Sequence, residues 1–288
     1  MTRTLTLGVI QARFGEDMNA NIAKVEHYLE KTAKAGAQIA LPPELFQGPY
    51  FCVTQDEKWF AQAYPAAEHP AVQKLQPVAK ALKLAVPVSI FERDGPHYYN
   101  SVAMLNADGA LMGVYRKSHI PDGPGYCEKF YFRPGNTGYK VWNTAHGAVG
   151  VGICWDQWFP ECARGMALLG AEILLYPTAI GSEPQDAGLD TRDPWRRAMQ
   201  GHAVSNAMPV AAANRVGTEK ISGQAQSYYG SSFICDQRGE VVAELDGIQE
   251  GVITQRFDLD FLRQCRASFG FFRDRREDLG PKLKEVDR

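Results

Sequence analysis

The spacing of apolar residues changes period several times along the chain. Residues 5–12, LTLGVIQA, alternate apolar with small or polar positions, the period of a half-buried strand. Over 18–35 the apolar positions move to helical spacing, with Ile22, Val25, Leu29 and Thr32 on one face. The run AQIALPPELF (37–46) predicts a short buried strand that stops in a Pro-Pro turn. Val72, Leu75, Val78, Ala79 and Leu82 predict a second amphipathic helix over 71–85. Strands follow at 86–93, 99–105 and 111–117, the last two joined through the hairpin turn NADGA.

The second half runs the same way. It predicts a strand at 146–154, a helix at 161–171, a strand at 172–177 and a helix at about 192–207. Strands at 209–215 and 231–236 come next, then a DQRG turn and the closing strands EVVAEL and GVITQRF. Strands alternating with helices argue an α/β chain. Two similar halves with no linker predict two sheets packed face to face with helices outside. That is a four-layer α-β-β-α sandwich with an internal two-fold pseudo-repeat, one domain over 1–288. The charged, Arg- and Phe-rich segment 258–288 reads as a C-terminal arm lying on a neighbouring subunit.

Composition narrows the class of partner. The 288 residues are 45% apolar and 22% charged, enough for a sizeable core without disulfides or a structural metal. A formal charge of −2 calls for neither nucleic acid nor an anionic membrane surface. No run reaches the ~18 uninterrupted apolar residues of a membrane span, and the start shows no apolar signal core, so a cytoplasmic protein is expected. Cysteines 52, 127, 154, 162, 235 and 265 are scattered without a C-x-x-C pair. Neither a zinc knuckle nor a disulfide framework is indicated, and each thiol is a buried filler or a working group.

Three apolar runs end abruptly in a reactive side chain beside Pro, Gly or aromatic residues: Glu44 in LPPELFQGPYF, Lys117 in VYRKSHIPDGPGYCEKF and Cys154 in VGICWDQWFPE. Singly, Glu44 reads equally as a helix cap or surface pair, Lys117 as a solvated rim charge and Cys154 as core filler. Together they suffice for hydrolysing a C–N bond without a metal. A thiol with a free pKa near ~8.5 needs a base, a carboxylate supplies one, and a cation stabilises the tetrahedral oxyanion. Of the six histidines, only His119 lies beside a candidate residue; it reads as ordering the loop after Lys117, with a Cys–His pairing left open.

These three segments, in this order and spacing over nearly the whole chain, resemble the nitrilase superfamily of carbon-nitrogen hydrolases, whose fold is the sandwich inferred above. The resemblance implies Glu44 as general base, Lys117 as transition-state cation and Cys154 as nucleophile. It also implies the backbone N–H of Trp155 as an oxyanion donor, and Glu128 as the second glutamate that orients Lys117 or shares in proton handling. A helix just past Cys154 would favour the thiolate through its N-terminal dipole. No cofactor or metal is implied. Relatives assemble, so a homo-oligomer, dimer or larger, is expected.

The longer stretches 116–138, 152–161 and 176–203 closely resemble the N-carbamoylputrescine amidases within that superfamily. The implied partner is a small molecule with a ureido end, a four-carbon spacer and a terminal ammonium. Trp155 and Trp158 would wall the pocket, and Tyr50 would line it or sit in the core. Ser182, Glu183, Asp186 and Asp190 would meet the ammonium or form a solvated acidic loop. Cys127 departs from the pattern, where a polar residue such as Gln is expected. Carbamoyl-amino-acid hydrolases of the superfamily carry an Arg pair after the nucleophile; here Gln157 and Trp158 stand there, which argues against a carboxylate substrate. Arg192, Arg196 and Arg197 are expected on a helix at an interface. The alternatives are a β-ureidopropionase, an aliphatic amidase or a nitrilase with the same triad. From outside the class come a non-catalytic binding protein and a metal-dependent hydrolase, the latter without H-x-H or H-E-x-x-H in its favour.

Overall fold

The computed structural model describes residues 2–186 and 188–279. Strand β1 (Thr4–Gln11) shows how one segment serves two layers. Successive side chains of a strand point to opposite faces. Leu5, Leu7 and Val9 therefore enter the core between the sheets, while Ile10 joins the core beneath the helices. Helix α1 (Met18–Lys34) starts on Asp17, whose carboxylate accepts the N–H groups of Asn19 and Ala20. It packs close to β1 because residue 8 is glycine: a Cβ there would lie 2.0 Å from Thr32 Cγ2.

Strand β2 (Ile39–Leu41) runs parallel to β1. Helix α2 (Pro70–Leu82) leads to an antiparallel run of β3 (Val86–Asp94), β4 (His97–Leu105) and β5 (Leu111–Arg116). A parallel bridge between Ile39 and Ala85 joins β2 to β3. In the second half come the single turn α3 (Glu128–Tyr131), then β6 (Val141–Thr144), β7 (Gly147–Val151), α4 (Pro160–Leu168), β8 (Ile173–Pro177), α5 (Arg192–Asn206) and β9 (Val210–Ala213). A ribbon, β10 (Val216–Ile221) and β11 (Gln224–Tyr229), precedes β12 (Phe233–Cys235), β13 (Val241–Glu244), β14 (Gly251–Asp258) and α6 (Leu259–Phe269).

The two sheets are built alike. One runs β14-β1-β2, continued through the bridge by β3-β4-β5; the other runs β6-β7-β8-β9-β12-β13. In each, parallel strands at the centre carry an antiparallel strand on one side and an antiparallel pair on the other. Ile22, Val25 and Leu29 of α1 and Val72 and Leu75 of α2 cover the outer face of the first sheet. Met166 of α4 with Trp195 and Met199 of α5 cover the second. The result is a four-layer α-β-β-α sandwich.

The structure corrects several sequence expectations. The strand expected over 146–154 ends at Val151, whereas the short strand expected to stop at the Pro-Pro turn does so: it spans Ile39–Leu41, and Pro42 and Pro43 have no N–H for the ladder. Strand β6 and the β10–β11 ribbon were not anticipated; both are short and rich in polar residues. The segment read as an arm begins as α6, which buries Leu259 and Leu262 against its own chain. Its last residues, 280–288, lie outside the described residues. Arg192, Arg196 and Arg197 do lie on α5, where Arg196 pairs with Glu244 and sits over the Phe233 ring. All six cysteines are free. No described helix is long and apolar enough to cross a membrane.

Candidate active site

Glu44 lies three residues beyond β2, in a turn where Leu45 takes a positive φ of 46°. A non-glycine residue in that region costs about 1–2 kcal/mol, so something must hold it. Arg215, fully buried, does so from beneath. Its guanidinium donates to the carbonyls of Glu44 (2.9 Å), Leu45 (2.7 Å) and Gly48 (3.1 Å). Glu219 balances the charge at 2.6 Å, and its other oxygen accepts the Tyr50 N–H. The β10–β11 ribbon thus exists, in part, to bring Glu219 under this turn.

Lys117 follows β5 directly. Strand alternation sends Arg116 outward to Glu92 and Asp94, and Lys117 inward, where it is completely buried. Its Nζ lies 3.0 Å from Glu44 Oε1 and 2.7 and 2.8 Å from the two oxygens of Glu128. The rim-charge reading of Lys117 is therefore excluded. Asn100 joins the two segments: its carbonyl accepts the Lys117 N–H (2.8 Å) and its amide donates to Glu44 Oε1 (2.7 Å). Nothing in a sequence reading singled out Asn100, Arg215 or Glu219.

Two carboxylates around one ammonium decide the protonation pattern. Burial by itself would lower the Lys117 pKa, but Glu128 and Glu44 more than offset it and hold the ammonium well above its ordinary value. Glu128 is pushed up to about 7, by burial first and by the Glu44 charge, with Lys117 opposing. The Tyr50 hydroxyl donates to Glu128 Oε1 at 2.6 Å. Tyr50 is fully buried and stands behind Glu128 rather than on the pocket wall.

Cys154 follows Gly152 and Ile153, which leave the sheet after β7. It opens a short 3₁₀ turn, Cys154–Trp158, with φ at +42°. Its thiol is 4% exposed, and burial and then the charge of Glu44 push its pKa well above the ordinary value, against the pull of Lys117. Helix α4 starts at Pro160, as expected just past Cys154, with the 3₁₀ turn between them. Glu44 Oε2 is buried and, among the described residues, has no hydrogen-bond partner, which leaves one carboxylate oxygen free to take a proton. The Trp155 N–H belongs to the first turn, whose N–H groups have no acceptor within it.

Cys154 lines a cavity of about 230 Å³. Trp155, Trp158, Tyr126 and Ile180 supply apolar walls, and Trp155 is 39% exposed. Asp122 and Glu183 also line it, and among the described residues no Lys or Arg does. Glu183 accepts from Gln185 (3.2 Å) and Thr191 (3.5 Å). Ser182 does not line this cavity; its N–H pairs with the Ser227 carbonyl (2.8 Å), which turns the residue onto the ribbon side. Asp186 and Asp190 are exposed and also stand off the cavity. Asp122 was missed in the sequence, although it sits five residues after Lys117. Cys127 is half-buried, its thiol near the Gly123 carbonyl and its pKa raised by burial. His119 stacks on Phe159 at 3.7 Å and bonds Asp156, so it does order the loop after Lys117.

The carbon-nitrogen hydrolase family model matches residues 6–267. The chain is 51% identical over 289 residues to an N-carbamoylputrescine amidase of Arabidopsis thaliana, covering 99% of this chain and 97% of that one. It is equally, 51%, identical over 275 residues to a citrullinase of Francisella tularensis subsp. tularensis, covering 96% of each. Among solved structures, a carbon-nitrogen hydrolase from Helicobacter pylori G27 superposes with a TM-score of 0.92 at 34% identity, over 99% of this chain and 100% of that one.

Proposed function

The chain belongs to the carbon-nitrogen hydrolase family, and from that membership we propose that it hydrolyses N-carbamoylputrescine to putrescine, carbon dioxide and ammonia. The observation that carries the reading is the half-identity, over nearly the full length, to relatives named for that reaction. Cys154 is the nucleophile. Glu44 takes its proton at Oε2 as the sulfur attacks the ureido carbon. Lys117 and the Trp155 N–H hold the oxyanion, which forms in a site already arranged for it. One amine leaves with the proton from Glu44, and water then attacks the thiol-bound intermediate with Glu44 again as base. Glu128 keeps Lys117 in place, and Tyr50 acts through Glu128.

The apolar walls suit a four-carbon spacer. Asp122 and Glu183 suit a terminal ammonium, and an unpaired carboxylate there would meet like charge. That separates the reading from a second one, citrulline hydrolysis, which the Francisella relative favours. Citrulline shares the ureido end and also ends in an ammonium, but it adds an α-carboxylate that the acidic lining would repel. A cytoplasmic homo-oligomer belongs to the same proposal; Leu168 and Leu169 at the end of α4 and Phe261 and Phe269 on α6 are exposed apolar residues that assembly would cover.

The test is ammonia release from N-carbamoylputrescine, citrulline and N-carbamoyl-β-alanine side by side, with Cys154→Ala as the blank. The expected result is a strong preference for N-carbamoylputrescine, lost in the variant, and a raised KM with little change in kcat for Glu183→Gln. Preference for citrulline would overturn the substrate reading and leave the mechanism. Unchanged release by Cys154→Ala would overturn the mechanism.

A further inference from the structure

The proposed chemistry leaves one fully buried acid without a task. Asp156 accepts four hydrogen bonds. One oxygen takes the Ile153 N–H (3.0 Å) and the Tyr115 hydroxyl (2.7 Å). The other takes the His119 N–H (3.0 Å) and meets His119 Nδ1 at 2.7 Å. The sources of these donors matter more than their number. Ile153 immediately precedes the nucleophile. Tyr115 and His119 stand two residues before and two residues after Lys117. A single carboxylate therefore clamps the turn that presents Cys154 to the segment that presents Lys117, on both sides of the lysine. It also braces a backbone that Cys154 holds at positive φ.

We propose that Asp156 is a positioning residue that fixes the register between the Cys154 sulfur and the Lys117 ammonium, and so the fit of the oxyanion between them. The inference rests on the reading of Cys154 as nucleophile and Lys117 as oxyanion cation. Asp156 acts through these neighbours: it is fully buried and both of its oxygens are already taken by them.

Asp156→Asn keeps the shape and tests the idea sharply, because an amide has one accepting atom and one donating atom. If the amide oxygen faces His119, the amide nitrogen faces the Ile153 N–H. If it is turned the other way, the nitrogen faces the His119 N–H. In either orientation one backbone N–H beside a reacting residue loses its acceptor. The Tyr115 hydroxyl and the His119 ring can both switch to accepting, so the loss falls on the backbone.

The experiment compares two reactions of the Cys154 thiol in the full chain. Acylation by p-nitrophenyl acetate passes through an oxyanion; alkylation by iodoacetamide does not. Cys154→Ala establishes that both signals come from this thiol, independently of the natural substrate. Asp156→Asn is expected to slow acylation about a hundredfold, the order of loss from misplacing reacting groups by an ångström, while alkylation changes less than about threefold. Both rates unchanged, or both altered alike in a folded protein, would overturn the proposal. Should Asp156→Asn not fold, Asp156→Glu keeps the carboxylate but lengthens the clamp on the same two backbone N–H groups, with acylation slowed about tenfold relative to alkylation, and absence of that split is equally decisive. Absent hydrolysis of N-carbamoylputrescine beside a clear acylation split would refute the substrate and support Asp156. Acylation that survives undiminished in Cys154→Ala would refute Cys154 as the nucleophile and, with it, the proposal for Asp156.

Discussion

His69 makes the protein sensitive to acid in a way that one substitution should remove. It caps α2: Nδ1 accepts the Ala71 N–H at 3.1 Å, so the ring must be neutral with its proton on Nε2. Nε2 is buried without a partner among the described residues, and the ring lies edge-on to Tyr64 at 5.5 Å. Burial lowers its pKa from 6.5 to about 3. The sign follows. Below pH 6.5 the unfolded chain takes up a proton that the native ring refuses until about pH 3, so stability is lost as the pH falls through that window. Each pH unit inside it is worth about 1.4 kcal/mol, so going from about pH 7.5 to about pH 5 withdraws about 2 kcal/mol.

His69→Asn keeps an acceptor for the Ala71 N–H and cannot be protonated there. Its smaller side chain costs stability, but equally at both pH values. Urea denaturation of both proteins at the two pH values isolates the effect, because every other group, Glu128 included, titrates in both and cancels in the difference. The variant should lose about 2 kcal/mol less than the parent on acidification. Equal losses, within about 0.5 kcal/mol, would refute the neutral, buried ring.

Glu128, pushed up to about 7, should give kcat/KM an acid limb near that pH, since protonating it releases Lys117; Glu128→Gln should lower the plateau and remove the limb in an ammonia-release pH profile. Arg215→Met should cost about 3–5 kcal/mol in denaturation, because it leaves Glu219 charged and unpaired in the interior. Adding Glu219→Gln should return at least about 1 kcal/mol of that, whereas a strictly additive pair would contradict the account of Arg215 and Glu219 as one buried unit.

The alternation of apolar residues along the chain determined the elements and their layering, because period 2 and period 3.6 each leave only one way to bury a face. The half-and-half rhythm was legible for the same reason. Glu44, Lys117 and Cys154 were legible as candidates, each a reactive side chain at the end of an apolar run, and the structure buries Glu44 and Lys117 3.0 Å apart. What the linear pattern did not carry was everything decided by distance across the chain. Asn100, Arg215 and Glu219 support Glu44 from positions 56, 171 and 175 residues away, and no local period marks them. Ser182 and Glu183 are neighbours in sequence, yet pairing with the ribbon turns one off the cavity and leaves the other lining it. Lys117 is a rim charge or a buried cation according to which face of β5 meets the second sheet. The sequence by itself determined which groups the protein has for the chemistry. Only the tertiary structure decided their charge states and reach, because burial and the nearness of other charges set both, and neither is a property of neighbours along the chain.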